Sequence, residues 1–188
     1  MIRLFLRAIN APTLILLVAI GVALQTSLFS SYPLMYLQPD VVLIAVIWCA
    51  LKRNFIEGGI LTLIFANIAE IHSAAPQGLF FLTYMFIYLL VRATARVLVM
   101  PNLASLILVT MCSSIVWKFS YMGVLHLLGD ASNQWRHLLS LLFPGAVMEG
   151  VIGIWLYRML ERFDWVTYKN IRARQQLEDE LQLDSEGL

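Results

Sequence analysis

Long apolar runs, each stopped by a short basic or turn-forming break, limit what this chain can fold into more than any single motif does. All but two of its 13 lysines and arginines, Lys118 and Arg136, cluster at alternate breaks: Arg3 and Arg7, Lys52 and Arg53, Arg92 and Arg96, then Arg158, Arg162, Lys169, Arg172 and Arg174. Apolar runs of this length read as helices, whose backbone polar groups are satisfied within the segment. The chain is 60% hydrophobic and 13% charged, where a soluble domain carries about 25% charged residues and about 45–50% apolar ones. At 188 residues it has too little interior to hide the excess. The expectation is an all-α integral membrane protein, a bundle of six transmembrane helices over 12–29, 39–51, 55–71, 78–97, 103–128 and 138–160. Basic residues mark cytoplasmic ends, so the clusters predict a multi-pass topology with both termini in the cytoplasm. Residues 1–166 then form the transmembrane domain and 167–188 a charged cytoplasmic tail. A net charge of +1 gives no ground for a nucleic-acid partner; the expected surroundings are a phospholipid membrane.

The individual runs carry further expectations. The first is longer than the 7–15 apolar residues of a signal-peptide core, which predicts a retained helix with Pro12 in its first turn. The second, 39–51, falls short of the roughly 20 residues a full span needs, and Asp40 after Pro39 is placed to cap it. Tyr32, Tyr36, Trp135 and Trp165 suit a membrane interface. The third run carries Asn67 and Glu70, and an acid at mid-membrane costs about 2.5–3.5 kcal/mol. The expected boundaries move Glu70 to the outer end of its helix, where Pro76 and Gly78 reverse the chain. Beyond 167 the tail turns from basic to acidic, as a solvated, frayed segment would.

Lys118 and Glu149 fall at matched depth on sequential antiparallel helices, which predicts an intramembrane ion pair, since each charge alone is costly there. A structural pair locking two helices is preferred to a proton relay, which needs further titratable groups in line. Ala146, Gly150 and Gly153 surround Glu149 with small side chains and predict a helix-packing seam. Ala19 and Ala23 give the first helix a similar small-residue face. Cys49 and Cys112 lie in apolar runs and read as buried thiols acting as small hydrophobes. Glu70 and His72 read as interfacial or capping groups; two candidate ligands do not make a closed metal site. Neither a phosphate loop nor a nucleophile with its base is present, so no cofactor, no metal and no catalytic residue is expected.

The stretch from Pro39 to Leu79 resembles a family. Pro39-Asp40 leads into an apolar helix closed by Lys52-Arg53, and a third helix ends at Glu70 before the turn with Ser73, Pro76 and Gly78. This resembles the MreD family of bacterial rod-shape-determining membrane proteins, whose third helix commonly bears glycines, then an Asp, then a Ser-Gly-rich turn closing on Leu-Gly. Here Thr62 and Ala66 stand where the family often has glycines, Glu70 replaces the Asp, Ala74 a glycine and Gln77 a leucine. The resemblance implies a location in the bacterial cytoplasmic (inner) membrane and a fold similar to the substrate-binding subunits of energy-coupling-factor transporters. It implies a non-enzymatic scaffold of the cell-wall elongation machinery. The main partner would be the single transmembrane helix of MreC, with the elongation synthase, the transpeptidase and MreB-type actin reached indirectly. Pro39, Asp40, Glu70, Ser73, Pro76 and Gly78 would form its structural and docking turn. The alternative is a vitamin-binding subunit of an energy-coupling-factor transporter. Against that stands the lack, along the sequence, of a concentrated set of polar and aromatic groups near the outer loops.

Overall fold

The computed structural model describes residues 2–29, 38–73, 75–95, 103–127 and 134–167. They form an all-α bundle of six helices: α1 (Ile2–Leu28), α2 (Val41–Lys52), α3 (Phe55–Ile71), α4 (Leu79–Ala95), α5 (Leu103–Leu127) and α6 (Gln134–Val166). The bundle is built around α2, where nine successive residues, Val42 to Ala50, are buried. A helix that is apolar all round belongs inside a bundle, and α2 packs on each of the other five. Asp40 starts it: Oδ1 accepts a hydrogen bond from the Leu43 amide at 2.9 Å, satisfying a donor that the first turn leaves open. Arg53, in extended backbone, ends it.

The expected six spans fail on length and on charge. Among the described residues two helices are long and apolar enough to cross a membrane, over Ile9–Leu28 of α1 and Ser105–Leu127 of α5. At 12 residues α2 is about 18 Å long, and at 17 residues each α3 and α4 are about 25 Å, against a hydrocarbon core of about 30 Å. The 33-residue α6 has the length; it carries Glu149 near its middle and Arg158, Glu161, Arg162 and Asp164 in its last third. The six-transmembrane-helix fold and the multi-pass localisation with cytoplasmic termini are therefore not what the structure supports. Apolar side chains of the other helices wrap α2, and among the described basic residues Arg53 and Arg92 meet at its end. Leu16, Ile20 and Leu24 on α1 and Leu108 and Phe119 on α5 face outward. Exposed apolar side chains continue onto α3, α4 and α6 at Ile60, Phe86 and Trp155.

Two helices also run further than expected. Pro12 lies inside α1 and not in its first turn, and α6 extends beyond 138–160 at both ends. The polar side chains of the bundle sort to its two ends. One gathers the end of α1, the start of α2, the α3–α4 turn and the facing parts of α5 and α6. The other gathers Asn10, Arg53 and the end of α6.

Candidate functional site

At the first end a cavity of about 310 Å³ opens between the helices. Asp40 reaches it because its cap position fixes the backbone, and its Oδ2 accepts a hydrogen bond from the Tyr84 hydroxyl at 2.7 Å. Burial pushes the Asp40 carboxyl above the ordinary carboxylate range, although the Leu43 amide, Tyr84 and Lys118 all pull it down. From α5, Lys118 Nζ donates to Ser114 Oγ at 3.3 Å and lies 3.5 Å from Glu149 Oε1. A Cβ on Gly145 would sit 2.6 Å from that ammonium nitrogen, so this glycine makes the room Lys118 occupies. Glu149 and Lys118 are both buried, and Glu149 Oε2 has no hydrogen-bond partner among the described residues.

The opposite wall is aromatic. Phe80, Tyr84 and Trp117 line the cavity; ring centroids lie 5.7 Å apart for Phe80–Tyr84 and 5.8 Å for Tyr84–Trp117, with interplanar angles of 21° and 25°. Tyr121 extends this stack behind Trp117 at 5.4 Å. Gln25, Gln38, His72 and Ser73 complete the lining near the helix ends. The structure thus brings together Asp40, Lys118 and Glu149, which lie far apart in the chain. It also assembles the polar and aromatic set whose absence from the sequence had weighed against a small-molecule site.

The α3–α4 turn is a separate construction beside the cavity. Glu70 Oε1 accepts a hydrogen bond from the Gly78 amide, so the last turn of α3 holds the first residue before α4. Gly78 has φ +89°, a conformation costly for any residue with a Cβ. Ser73 Oγ accepts from the Ala75 amide at 3.1 Å and the Pro76 carbonyl from the Leu79 amide at 3.3 Å. Pro39 is buried beside α2, whereas Asn67 is exposed.

Small residues set the helix seams. A Cβ on Gly150 would lie 3.0 Å from Met111 Cγ, and one on Gly153 3.1 Å from Thr110 Cγ2, so α6 rests directly on α5 there, with Ala146 buried one turn away. The face expected at Ala19 and Ala23 is displaced. The close approach falls at Gly21, where a Cβ would meet Val41 Cγ1 at 2.9 Å, while Ala23 is exposed and Ala19 only half-buried. Of the two thiols, Cys49 is buried but Cys112 is exposed.

The far end of the bundle holds a polar lock not read from the sequence. Arg53, 4% exposed, donates from Nη2 to Asp164 Oδ1 at 2.7 Å and to Asn10 Oδ1 at 2.6 Å. Asn10 Nδ2 in turn donates to Asp164 Oδ1 at 3.0 Å and to Thr167 Oγ1 at 2.5 Å. The Arg53 guanidinium also lies 4.8 Å from the Trp48 ring centroid. Arg92, one of the basic residues at the breaks, donates to the carbonyls of Ala50 and Arg53 at 2.8 and 2.9 Å. Lys52 pairs with Glu161 at 2.9 Å on the more exposed side. The available signal was that Asn10, Arg53 and Asp164 reach the same end of an antiparallel arrangement. Arg96, Tyr32, Tyr36, the side chains of Arg3, Arg7, Trp135 and Arg136, and the tail beyond 167 lie outside the described residues.

A second concavity, about 370 Å³ and almost wholly apolar, runs between α1, α2 and α6 past Gly21, Leu24, Ile44 and Trp155. Among the described residues no three His, Cys, Asp or Glu side chains converge as metal ligands would. Comparison of the chain with family models, with curated proteins and with solved structures finds no match in any of the three.

Proposed function

We propose that the chain is a non-enzymatic scaffold of a bacterial cell-wall elongation machinery, an MreD-like protein that holds the transmembrane helix of MreC. Through that helix it would connect to the elongation synthase and transpeptidase, and to MreB-type actin. The observation that supports this best is the way the described residues between 39 and 79 are tied together around α2. Asp40 caps α2, whose residues from Val42 to Ala50 are buried, Arg53 ends it in the polar lock, and Glu70 ties the α3–α4 turn through the Gly78 amide. Those residues carry the family resemblance, and in this fold they fix helix positions. The apolar groove of α1, α2 and α6 offers an apolar partner helix a surface of matching chemistry. Co-expression with a single-span, coiled-coil MreC tests the reading. Stable copurification is expected, lost when Leu24→Arg places a charge in the groove, and depletion in a rod-shaped host should give round cells. Rods that persist after depletion, with no copurification, would sink it.

A second reading, a substrate-binding subunit of an energy-coupling-factor transporter, is favoured by one specific observation: the cavity lined by Asp40, Tyr84, Trp117, Lys118 and Glu149. Copurification with a transporter's coupling subunit would support it over the scaffold.

A further inference from the structure

We propose that the cavity between Asp40, Trp117 and Glu149 is a binding site for a small planar aromatic cation that carries N–H donors. Hydrogen bonding supplies the first argument. Glu149 is 2% exposed and lines the cavity, and Oε2 has no hydrogen-bond partner among the described residues. Buried polar atoms are ordinarily satisfied, and a carboxylate oxygen is an acceptor that takes a charged N–H donor best. The charged groups around it have partners already. Asp40 uses Oδ1 on Leu43 and Oδ2 on Tyr84, and Lys118 is engaged by Ser114 and Glu149 Oε1. Glu149 Oε2 is therefore the unmet acceptor of the cavity.

Charge points the same way. The lining holds two carboxyl groups, Asp40 and Glu149, against the single ammonium of Lys118, an excess of acidic groups that suits a cation. The aromatic wall sets the shape. Phe80, Tyr84 and Trp117 are near-parallel, with interplanar angles of 21° to 30°, a stack that another flat ring can extend. A quaternary ammonium would need a box of rings around it, which this arrangement is not. Trp117 Nε1, also buried and without a partner among the described residues, adds a donor for an acceptor on the ligand. The volume of about 310 Å³ lies at the small end of ligand pockets, fitting one or two fused rings. Gln25, Thr26 and His72 line the cavity where helices end, so the ligand enters there.

The site stands whether or not the scaffold reading holds, and it gives the transport reading a ligand class. Titration calorimetry on the purified full chain tests it with benzamidine and tryptamine, against benzoate as the charge-reversed shape match and tetramethylammonium as the non-planar cation. Saturable one-to-one binding of at least one aromatic cation is expected, with none for benzoate. Glu149→Gln and Trp117→Leu should each weaken it by about tenfold or more, the scale of a lost charge-assisted bond or stacking face. Thr26→Trp guards against misfolding of those variants, because Thr26 is exposed and its hydroxyl meets only carbonyls of its own helix. A bulky ring there should narrow the mouth and weaken binding while the thermal midpoint stays put. Absence of saturable binding by both cations, tighter binding of benzoate or tetramethylammonium, or indifference to both Glu149→Gln and Thr26→Trp would overturn the proposal. Binding without a copurifying coupling subunit would leave the site intact and remove the transport reading alone.

Discussion

Replacing Asp164 by alanine tests the polar lock most directly. The substitution removes the 2.7 Å partner of Arg53 and one acceptor of Asn10, in a site where Asn10 is 0% and Arg53 4% exposed. Breaking a buried ion pair from one side costs about 3–5 kcal/mol, because the remaining charge is left without its counterion. Arg53 would keep Asn10 Oδ1 at 2.6 Å, Glu57 at 3.8 Å and the Trp48 ring. Those contacts place the loss at the lower end, about 3 kcal/mol. For a chain of 150–250 residues about 2–4 °C accompanies each kcal/mol, so the thermal midpoint should fall by about 6–12 °C. Asp164→Asn keeps an acceptor and should lose about half as much, the difference between a charged and a neutral hydrogen bond. The double variant Arg53→Met, Asp164→Leu should recover most of the loss, since apolar replacement of a whole buried pair is often near neutral. Thermal unfolding of the full chain in mild detergent, followed by tryptophan fluorescence, reads all three. A midpoint for Asp164→Ala within 2 °C of the parent, or a double variant less stable than the single one, would show that the lock does not tie α1, α2 and α6 together.

The remaining expectations concern the other end and the seams. Gly78→Leu forces a side chain into the left-handed region at a cost of about 1–2 kcal/mol, and Glu70→Ala frees the Gly78 amide; both should lower abundance and partner copurification, and parental levels of each would refute the role given to the turn. Lys118→Met combined with Glu149→Leu should be more stable than either single change, because each single change strands a buried charge; a double variant that unfolds first would contradict the pairing. Gly153→Leu should separate α5 from α6, since even a Cβ there meets Thr110 at 3.1 Å. Overpacking of this kind costs about 1–3 kcal/mol, and an unchanged unfolding midpoint would show the seam to be loose.

What the sequence determined by itself was local. Runs of apolar residues between breaks specified six helices, because helix formation depends on neighbours three and four apart. Their ends were legible where a capping or breaking residue acts on its own backbone, as at Asp40 or Gly78. The short length of the second run was legible too, but its meaning was not. A 12-residue apolar helix is equally a failed span and a core helix, and only packing against all five neighbours settles which. Membrane spans were overcounted for the same reason: composition registers how much apolar surface exists, and cannot tell surface buried on α2 from surface facing outward.

The site divides along the same line. Lys118 and Glu149 were readable as a pair because an isolated charge in an apolar helix demands a partner. That Asp40, Tyr84 and Trp117 share their cavity was not readable, since it depends on how α2, α4 and α5 rotate about their axes. The Asn10–Arg53–Asp164 lock depends on side chains more than 100 positions apart in sequence. Nothing local to any one of these residues names the other two. Tertiary structure alone decides that the three meet, because burial beside one another is what turns separate polar residues into a single hydrogen-bonded unit.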